Sequence, residues 1–484
     1  MTTERYDLAV IGGGSGGFGA ALAAAREGCR VILIERAPTL GGNAARGGVN
    51  CWEPGAGGTG FPFEIYKHLK KMPRSVGIYT HRRHMSVPVA GQPIFPGGEQ
   101  VIDPDRRYVD SLRRFAGKSV ERDWAFTREH CHGVPFEPAA YERVIGEMLA
   151  ETGRVTTRVG TAFTTVEVSG RRITSIGLDS GEVIEADTFI DATADIHLAA
   201  MAGCQTQLGQ EARSVYQEPS APEKPTDRLN AVTLIYRVDP RTDGPGVDPL
   251  PDGIAESCWW RKEFPVAACN EYPAGGWNIN MLPTMEGLEA WRLGPDRARL
   301  ECRRRVIAHW HHFQTVFPEW RHYRLTWIAP ALGVRETRRL VGRHVLTEHD
   351  LDATLKSQTH PDLICIADHP KDVHGEARQG MMKEVSFPYG VPFRCLLPKE
   401  FDNLAVACRG ASFSSIGASS CRLSRTMMQL GQAAGTAAAI ARRHRISISD
   451  TPVRTLRETL QARQVQLTWP APAGLQAYLE AEDA

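Results

Sequence analysis

The chain is 484 residues long, too long for one compact core and suited to two or three domains at roughly 150 residues each. Its 57 basic and 56 acidic side chains leave a net charge of +1, which excludes the basic excess expected of a nucleic-acid binder. No run approaches the ~20 consecutive apolar residues of a membrane span. A hydrophobic fraction of 42% with 46 glycines and 31 prolines is globular and loop-rich. Eleven cysteines without any C-x-x-C pair argue against a disulfide framework, a zinc site or a ligated iron–sulfur cluster. Only about six residues precede the first buried-strand pattern, too few for a signal peptide. The expectation is a soluble, cytoplasmic, multidomain enzyme.

Tyr6 to Ile11 is a short apolar strand. It runs into Gly12-Gly13-Gly14-Ser15-Gly16-Gly17, a G-x-G-x-x-G turn at Gly12, Gly14 and Gly17. An alanine-rich helix from Phe18 to about Glu27 follows, then a second strand, Cys29 to Ile34, ending at Glu35. Gly12 permits the tight turn, Gly14 lets the backbone approach a pyrophosphate, and Gly17 lets helix and strand pack closely. The helix start offers N–H groups and positive dipole to phosphates, and Glu35 is placed to accept from an adenosine ribose. With strand, helix, strand and acid in register, a dinucleotide binds here. Ser15 inside the turn and Arg36 beyond the acid join the candidate cofactor residues.

Four further glycines lie just beyond, in Gly41-Gly42-Asn43-Ala44-Ala45-Arg46-Gly47-Gly48-Val49-Asn50. Such a loop lets main chain lie against a flat ring system, where a plain NAD dehydrogenase would carry an ordinary helix. At this point the chain resembles the FAD-dependent oxidoreductases of the glutathione-reductase-like superfamily, in the branch that holds the fumarate reductase flavoproteins. The resemblance implies non-covalent FAD, with Gly42, Asn43, Arg46, Gly47, Gly48 and Val49 along the pyrophosphate and flavin. Cys51 follows the loop, but nothing in its spacing requires a covalent tether. The implied fold is α/β: a Rossmann-like FAD-binding domain, its parallel sheet carrying a β-meander, plus an inserted α+β substrate domain.

Residues 51–135, rich in Pro, Gly, Arg and His, read as a lid-like excursion with helical pieces near Glu64–Lys71 and Tyr108–Phe115. A helix from Glu137 to Glu151 precedes strands near Val155–Val159, Ala162–Val168, Arg172–Leu178 and Val183–Ala186, read together as the meander. Thr188 to Asp195 returns to the sheet, closing a first unit at residues 1–204. Relatives carry "DATGDGD" there, near the adenine side of FAD, which makes Ala192 a candidate contact. This chain departs from that pattern, with Ala194, Ile196 and His197 in place of two glycines and an acid. Residues 205–385 carry no second G-x-G-x-x-G and hold seven of the ten tryptophans, so they read as the substrate or cap domain. Within them Leu300 to Phe317 reads as a helix. Residues 386–445 return to the FAD domain through strand Asn403–Cys408, a Ser/Gly loop to Cys421, and a helix from Arg422 to Ala441. By the resemblance that helix start faces the flavin's pyrimidine carbonyl, which adds Arg409 and Arg422 to the cofactor set. Residues 446–484 read as a C-terminal helix and tail.

Flavin chemistry on a substrate C–H needs a proton acceptor and groups that orient the substrate. His369 and His374, in Asp368-His369-Pro370-Lys371-Asp372-Val373-His374, are candidate bases, against the alternative of solvated loop histidines. Arg335 is a candidate anchor for a carboxylate or carbonyl, against an ion pair with Glu336 or another acid. Tyr389 is a candidate donor, against core packing. His309, His311 and His312 share a helix, and Glu129-His130-Cys131-His132 a loop, but neither set completes a metal site. The tryptophans read as core more than as stacking platforms. The leading expectation is an FAD-dependent dehydrogenase or oxidase moving hydride between a small organic substrate and flavin N5. A nicotinamide-dependent monooxygenase or reductase, or an electron-transfer flavoprotein subunit, is the alternative. A homo-oligomer is compatible with each.

Overall fold

The computed structural model describes residues 2–80, 85–86, 102–112, 129–260, 267–378 and 382–483. Strand β1 (Thr3–Ile11) is buried on both faces from Leu8 to Ile11, as an apolar run without alternation requires. It turns into α1 (Ser15–Arg26), whose side chains from Gly16 to Ala25 are all buried. Strand β2 (Val31–Glu35) comes next, and after the excursion α2 (Pro138–Ala150), β3 (Val155–Val159), β4 (Phe163–Ser169), β5 (Arg172–Leu178) and β6 (Val183–Asp191). The sheet runs β3-β2-β1-β6, all parallel, so Leu8 to Ile11 meet Val31 to Ile34 on one side and Thr188 to Asp191 on the other. This corrects the expected meander. Val155–Val159 is the parallel edge of the central sheet, and Val183–Asp191 is one unbroken strand. Only β4 and β5 form the antiparallel flap, with β5 on the N-terminal half of β6.

The excursion closes on itself. Cys51–Trp52 pairs antiparallel with Val134–Pro135, so its two ends leave and rejoin side by side. Its first helix runs Phe61–Lys70, and Tyr108–Leu112 is a single 3-10 turn; the remainder of the Tyr108–Phe115 expectation lies outside the described residues.

A second sheet builds around β7 (Ile235–Pro240), β8 (Ala268–Glu271), β9 (Trp277–Asn280) and, after helix α3 (Pro295–Val316), β10 (Tyr323–Ile328), in the antiparallel order β10-β7-β9-β8. Ala298, Cys302, Val306, Trp310 and Phe313 form one stripe of α3 at helical spacing and share a core with Tyr236, Val238 and Ile279 of the sheet. Trp310 and Trp320 sit inside that core, whereas Trp277 and Trp327 are only partly buried at its edge. His309 bonds the Tyr236 hydroxyl at 2.7 Å and His311 bonds the Asp248 carbonyl at 2.8 Å, so both rings serve packing here.

The chain then returns. Strands β11 (Leu363–Ala367) and β12 (Tyr389–Pro392) pair with each other, and β13 (Leu404–Val406) adds parallel to the C-terminal half of β6. The expected Ser/Gly loop contains a short helix, Ser415–Ser420, and the long helix α4 spans Ser424–His444. It starts two residues later than the composition suggests. Helices α1 and α4 cross backbone to backbone: a Cβ on Gly431 would lie 1.9 Å from the Gly16 carbonyl oxygen. Helices Val453–Ala462 and Ala473–Glu482 close the described chain. No described helix is long and apolar enough to cross a membrane.

Candidate active site

The glycine turn is shaped by contact. Gly12 takes φ +102°, and a Cβ on Gly17 would stand 1.7 Å from the Gly12 carbonyl oxygen. Gly14 begins α1 without a side-chain cap, and its nearest facing atom is the Gly42 Cα, 3.9 Å from where a Cβ would be. The Glu35 carboxylate accepts from Gly13 N at 2.6 Å and Ala37 N at 2.7 Å, which fixes it at the mouth of the turn. Ser15 and Ser424 touch through their hydroxyls at 2.7 Å, so the starts of α1 and α4 converge on one spot. Two positive helix ends meeting at a gap between two glycines suit a pyrophosphate. The Tyr141 ring packs beside Gly41, and its buried hydroxyl, facing Ser15, makes no hydrogen bond of ordinary geometry among the described residues. The residues present fit FAD.

Tyr141 and Ser424 were not legible as site residues. One lies in an unremarkable helix, and the other needed the α1–α4 crossing to reach Ser15.

The 41–50 loop lies against the second sheet. Gly47 and Gly48 are buried, Arg46 and Val49 half-buried, and the Asn43 and Arg36 side chains exposed. Asn278 donates to the Gly48 carbonyl at 2.7 Å, and a Cβ on Gly48 would stand 2.9 Å from Ile235 Cγ2. The loop is thus sandwiched between the nucleotide sheet and Ile235, Asn278 and Trp327. Cys51 points its thiol at the Trp52 carbonyl, 3.4 Å away.

The segment after β6 takes left-handed backbone at two residues that are not glycine. Ala192 is buried over Gly12, and Ala194 (φ +68°) and Ile196 (φ +49°) both adopt left-handed backbone. For a β-branched residue this costs on the order of 1–3 kcal/mol and persists only where surroundings impose it. Here Asp191 accepts from Thr193 N, Thr193 Oγ1 and Ala199 N at 2.9, 2.7 and 2.9 Å, and Ile196 is fully buried. Arg409 spends its guanidinium on Asp195 at 2.5 Å, a residue that Thr337 also holds.

Of the four catalytic candidates, the structure gathers two, His374 and Arg335, together with Arg422 from the cofactor set. His374 Nε2 is 3.0 Å from Asp372 Oδ2, and Arg422 Nη2 reaches the same oxygen at 2.6 Å. Arg422, expected at the cofactor, is thereby committed to Asp372. Arg335 donates to the Ala231 carbonyl at 2.7 Å and to Thr233 Oγ1 at 2.9 Å, while its charge reaches His374. Of the alternatives weighed for Arg335, the pair with Glu336 is not made, because Glu336 is taken by Arg339. Asn230 ties the loop down, donating to the Asp372 carbonyl at 3.0 Å and accepting from His374 N at 3.0 Å. Thr233 in turn pairs with Gly333, two residues from Ile235 beneath Gly48, which links this cluster to the 41–50 loop.

Burial, and then the charge of Arg335, hold His374 down at about 4, outweighing the upward pull of Asp372. The ring is therefore neutral at physiological pH. Burial pushes the Asp372 carboxyl up, but the hydrogen bond from His374 and the neighbouring charges of His374, Arg422 and His369 hold it well below the usual carboxylate range. With Asp372 ionised, Nε2 carries the ring proton toward it and Nδ1 is left as the acceptor. Asp372 was missed as a functional residue although it stands two positions before His374; the acid–histidine pair was the signal.

The other two candidates are buried in the core, His369 close enough for its charge to be felt at Asp372. Tyr389 is fully buried, bonded to Ser420 Oγ at 2.7 Å, and Ser420 in turn bonds the His369 carbonyl at 2.5 Å. His369 is 4% exposed, with Nε2 3.5 Å from a Glu53 oxygen. Both side chains are thus held by contacts within the core.

A charged network underlies the loop before α4. Glu218 accepts from Ser414 Oγ at 2.5 Å and from Glu348 N at 2.7 Å. Burial, reinforced by Glu211 and Glu348, pushes its carboxyl up from 4.5 to about 7. Folding thus tightens its hold on a proton, an advantage complete below pH 4.5 and lost as pH rises through about 7. Glu218→Gln is expected to exceed the parent protein's stability at about pH 8 by up to about 3 kcal/mol, the gap closing by about pH 5. Urea unfolding at the two pH values checks this.

A family model described as FAD dependent oxidoreductase matches residues 7–460. The 3-oxosteroid 1-dehydrogenase of Mycolicibacterium smegmatis is 44% identical over 54 residues, 11% of this chain and 10% of that protein. The fumarate reductase (cytochrome) of Shewanella frigidimarina is 52% identical over 49 residues, 10% of this chain and 9% of that protein. These matches span about a tenth of the length of the curated relatives. A geranylgeranyl bacteriochlorophyll reductase-like protein from Thermoplasma acidophilum aligns at 13% identity and TM-score 0.43, covering 99% of this chain and 97% of its own. The p-nitrophenol 4-monooxygenase of Pseudomonas putida aligns at 12% and TM-score 0.41, covering 100% and 94%. With a family model spanning nearly its whole length, and a glycine turn, Glu35 and two converging helix starts that suit a pyrophosphate, the chain belongs to the FAD dependent oxidoreductase family.

Proposed function

We propose that the protein oxidises a small organic molecule at a carbon bearing a hydroxyl or amine, with His374 as proton acceptor. The observation that carries this is the junction at Asp372 Oδ2, shared by His374 Nε2 and Arg422 Nη2. Bound FAD, held by Gly12, Gly14, Ser15, Glu35 and the 41–50 loop, supplies a two-electron acceptor. His374 takes the substrate's hydroxyl or amine proton on Nδ1, because Nε2 is committed to Asp372. Asp372 orients the ring and stabilises the imidazolium that forms. The His374 side chain is 19% exposed, enough for a bound molecule to reach it. The guanidinium groups of Arg335 and Arg422 beside the ring favour a substrate with an anionic group, such as a hydroxy acid. Substrate lies beside the His374 ring, within a cap of residues 205–385 on an FAD-binding unit of residues 1–204 and 386–445. The same reading has the protein cytoplasmic, free of nucleic-acid partners, and compatible with a homo-oligomer.

Anaerobic titration of the purified holoprotein tests the reading, with the oxidised flavin band followed against hydroxy acids, alcohols, sugars, amines, NADH and NADPH. Bleaching by an organic substrate alone is expected, hydroxy acids foremost. Bleaching by a nicotinamide only would replace the proposal with a monooxygenase or reductase.

A further inference from the structure

We propose that His344, Asp350 and His360 form a binding site for a divalent first-row transition ion of the Zn²⁺ class. The three residues lie outside the cluster at Asp372 and take no part in the proposed reaction. His344 precedes helix Glu348–Ser357, Asp350 stands at its third position, and His360 follows its end, so one short helix brings the donors together. His344 Nε2 is 3.2 Å from Asp350 Oδ2 and His360 Nε2 is 2.7 Å from Asp350 Oδ1. The two ring centroids are 4.7 Å apart, and the three donor atoms all lie within 4.8 Å of one another.

Two imidazoles and one carboxylate are the donor set that zinc and its neighbours prefer, and three protein ligands leave a fourth position for water. The side chains of His344, Asp350 and His360 are 24%, 10% and 20% exposed, so the cluster is both held and reachable.

The shell around the donors is also in place. Asp350 Oδ2 accepts from Thr347 N at 2.9 Å and Thr347 Oγ1 at 3.3 Å as part of the helix's capping box, which fixes the carboxylate independently of the histidines. Arg394 Nη2 sits 3.3 Å from His360 Nδ1, while Arg394 Nε and Nη2 bind Asp362 at 3.0 and 3.1 Å.

Without an ion, each ring donates Nε2–H to Asp350. With an ion, both Nε2 lone pairs turn to the metal and each ring proton moves to Nδ1, with no net proton released. For His360 this costs the Arg394 contact, which Arg394 can yield because Asp362 still holds it. The metal therefore competes with a local hydrogen bond, and the site selects ions that bind imidazole strongly over Mg²⁺ or Ca²⁺.

The test uses the FAD-loaded protein, stripped with chelator and titrated with Zn²⁺ or Co²⁺ by calorimetry. The visible d–d bands of Co²⁺ report coordination number, and metal retained after gel filtration is counted by mass spectrometry. One ion per chain, a four-coordinate Co²⁺ spectrum and a raised Tm are expected. His344→Ala and His360→Ala should each weaken binding at least tenfold with flavin absorbance and circular dichroism unchanged, and Asp350→Asn should weaken it while keeping the helix cap. Arg394→Gln is expected to tighten it by removing the competing donor. Equal binding by the parent and by the double-histidine variant, or a Co²⁺ spectrum that stays that of the hydrated ion, would overturn the proposal. Neither result touches the reading of the flavin site.

Discussion

His374→Ala slows anaerobic flavin reduction by substrate roughly 10²–10⁴-fold, the span expected for removing a positioned general base. FAD content and the oxidised flavin spectrum stay at parent values, because His374 takes no part in the glycine turn or the 41–50 loop. Stopped-flow reduction across pH is the measurement. In the parent protein the rate falls as pH drops through about 4, where burial and Arg335 leave the ring just able to hold a proton, and is flat above. An anionic substrate beside the ring offsets the charge of Arg335, so the pH profile at saturating substrate moves upward relative to that at low substrate. Asp372→Asn is the companion variant. It loses the charge that orients Nε2–H and stabilises the imidazolium, and should cost a smaller factor with the same pH plateau. Parent-like reduction in His374→Ala would remove this residue from the mechanism.

Arg339→Met is expected to be among the most damaging single substitutions for stability, at about 3–5 kcal/mol. The guanidinium is fully buried and joins three chain segments. It reaches Glu211 at 2.7 Å and the Gly209 carbonyl at 2.6 Å, contacts Glu336, and donates to the Phe413 carbonyl at 3.1 Å. Removing it strands two buried carboxylates, and burial already pushes Glu336 upward. A sign follows for pH: stranded carboxylates bind protons more tightly in the folded than in the unfolded chain, so the deficit shrinks as pH falls. Guanidinium unfolding at about pH 8 and about pH 5 separates this from simple loss of packing, which would cost the same at both. Replacing Glu211 and Glu336 by Gln in the same chain should recover much of the loss. An unchanged midpoint in Arg339→Met would show that the network carries no net stability.

The local part of this molecule was legible because its signals are local. A glycine whose Cβ would overlap the neighbouring carbonyl, an apolar run buried on both faces, and an acid at a strand end are each set within about thirty residues, the length of one βαβ unit. The tryptophan concentration likewise read as core, and Trp310 and Trp320 lie inside it. Errors began where pairing became long-range. Val155–Val159 looks like a meander strand beside its sequence neighbours, yet it joins Val31–Glu35 across more than a hundred residues of intervening chain. The path after Asp191 could not be read from glycines, because Ala194 and Ile196 take left-handed backbone under the compulsion of surrounding contacts.

For the site, residue type and spacing identified the dinucleotide turn and offered His374 and Arg335, and the family resemblance offered Arg422, but neither could say which acids they would meet. That depended on tertiary charge pairing. Glu336 turned to the buried Arg339 and left Arg335 to Ala231 and Thr233, while Arg422, fifty residues along, came to share Asp372 with His374. Burial made the remaining choice by enclosing Tyr389 and His369. Sequence alone therefore determined the cofactor-binding unit, whose geometry follows from short-range sterics. Only the tertiary structure decided which polar groups are free to act, because desolvation and ion pairing depend on every segment packed around them.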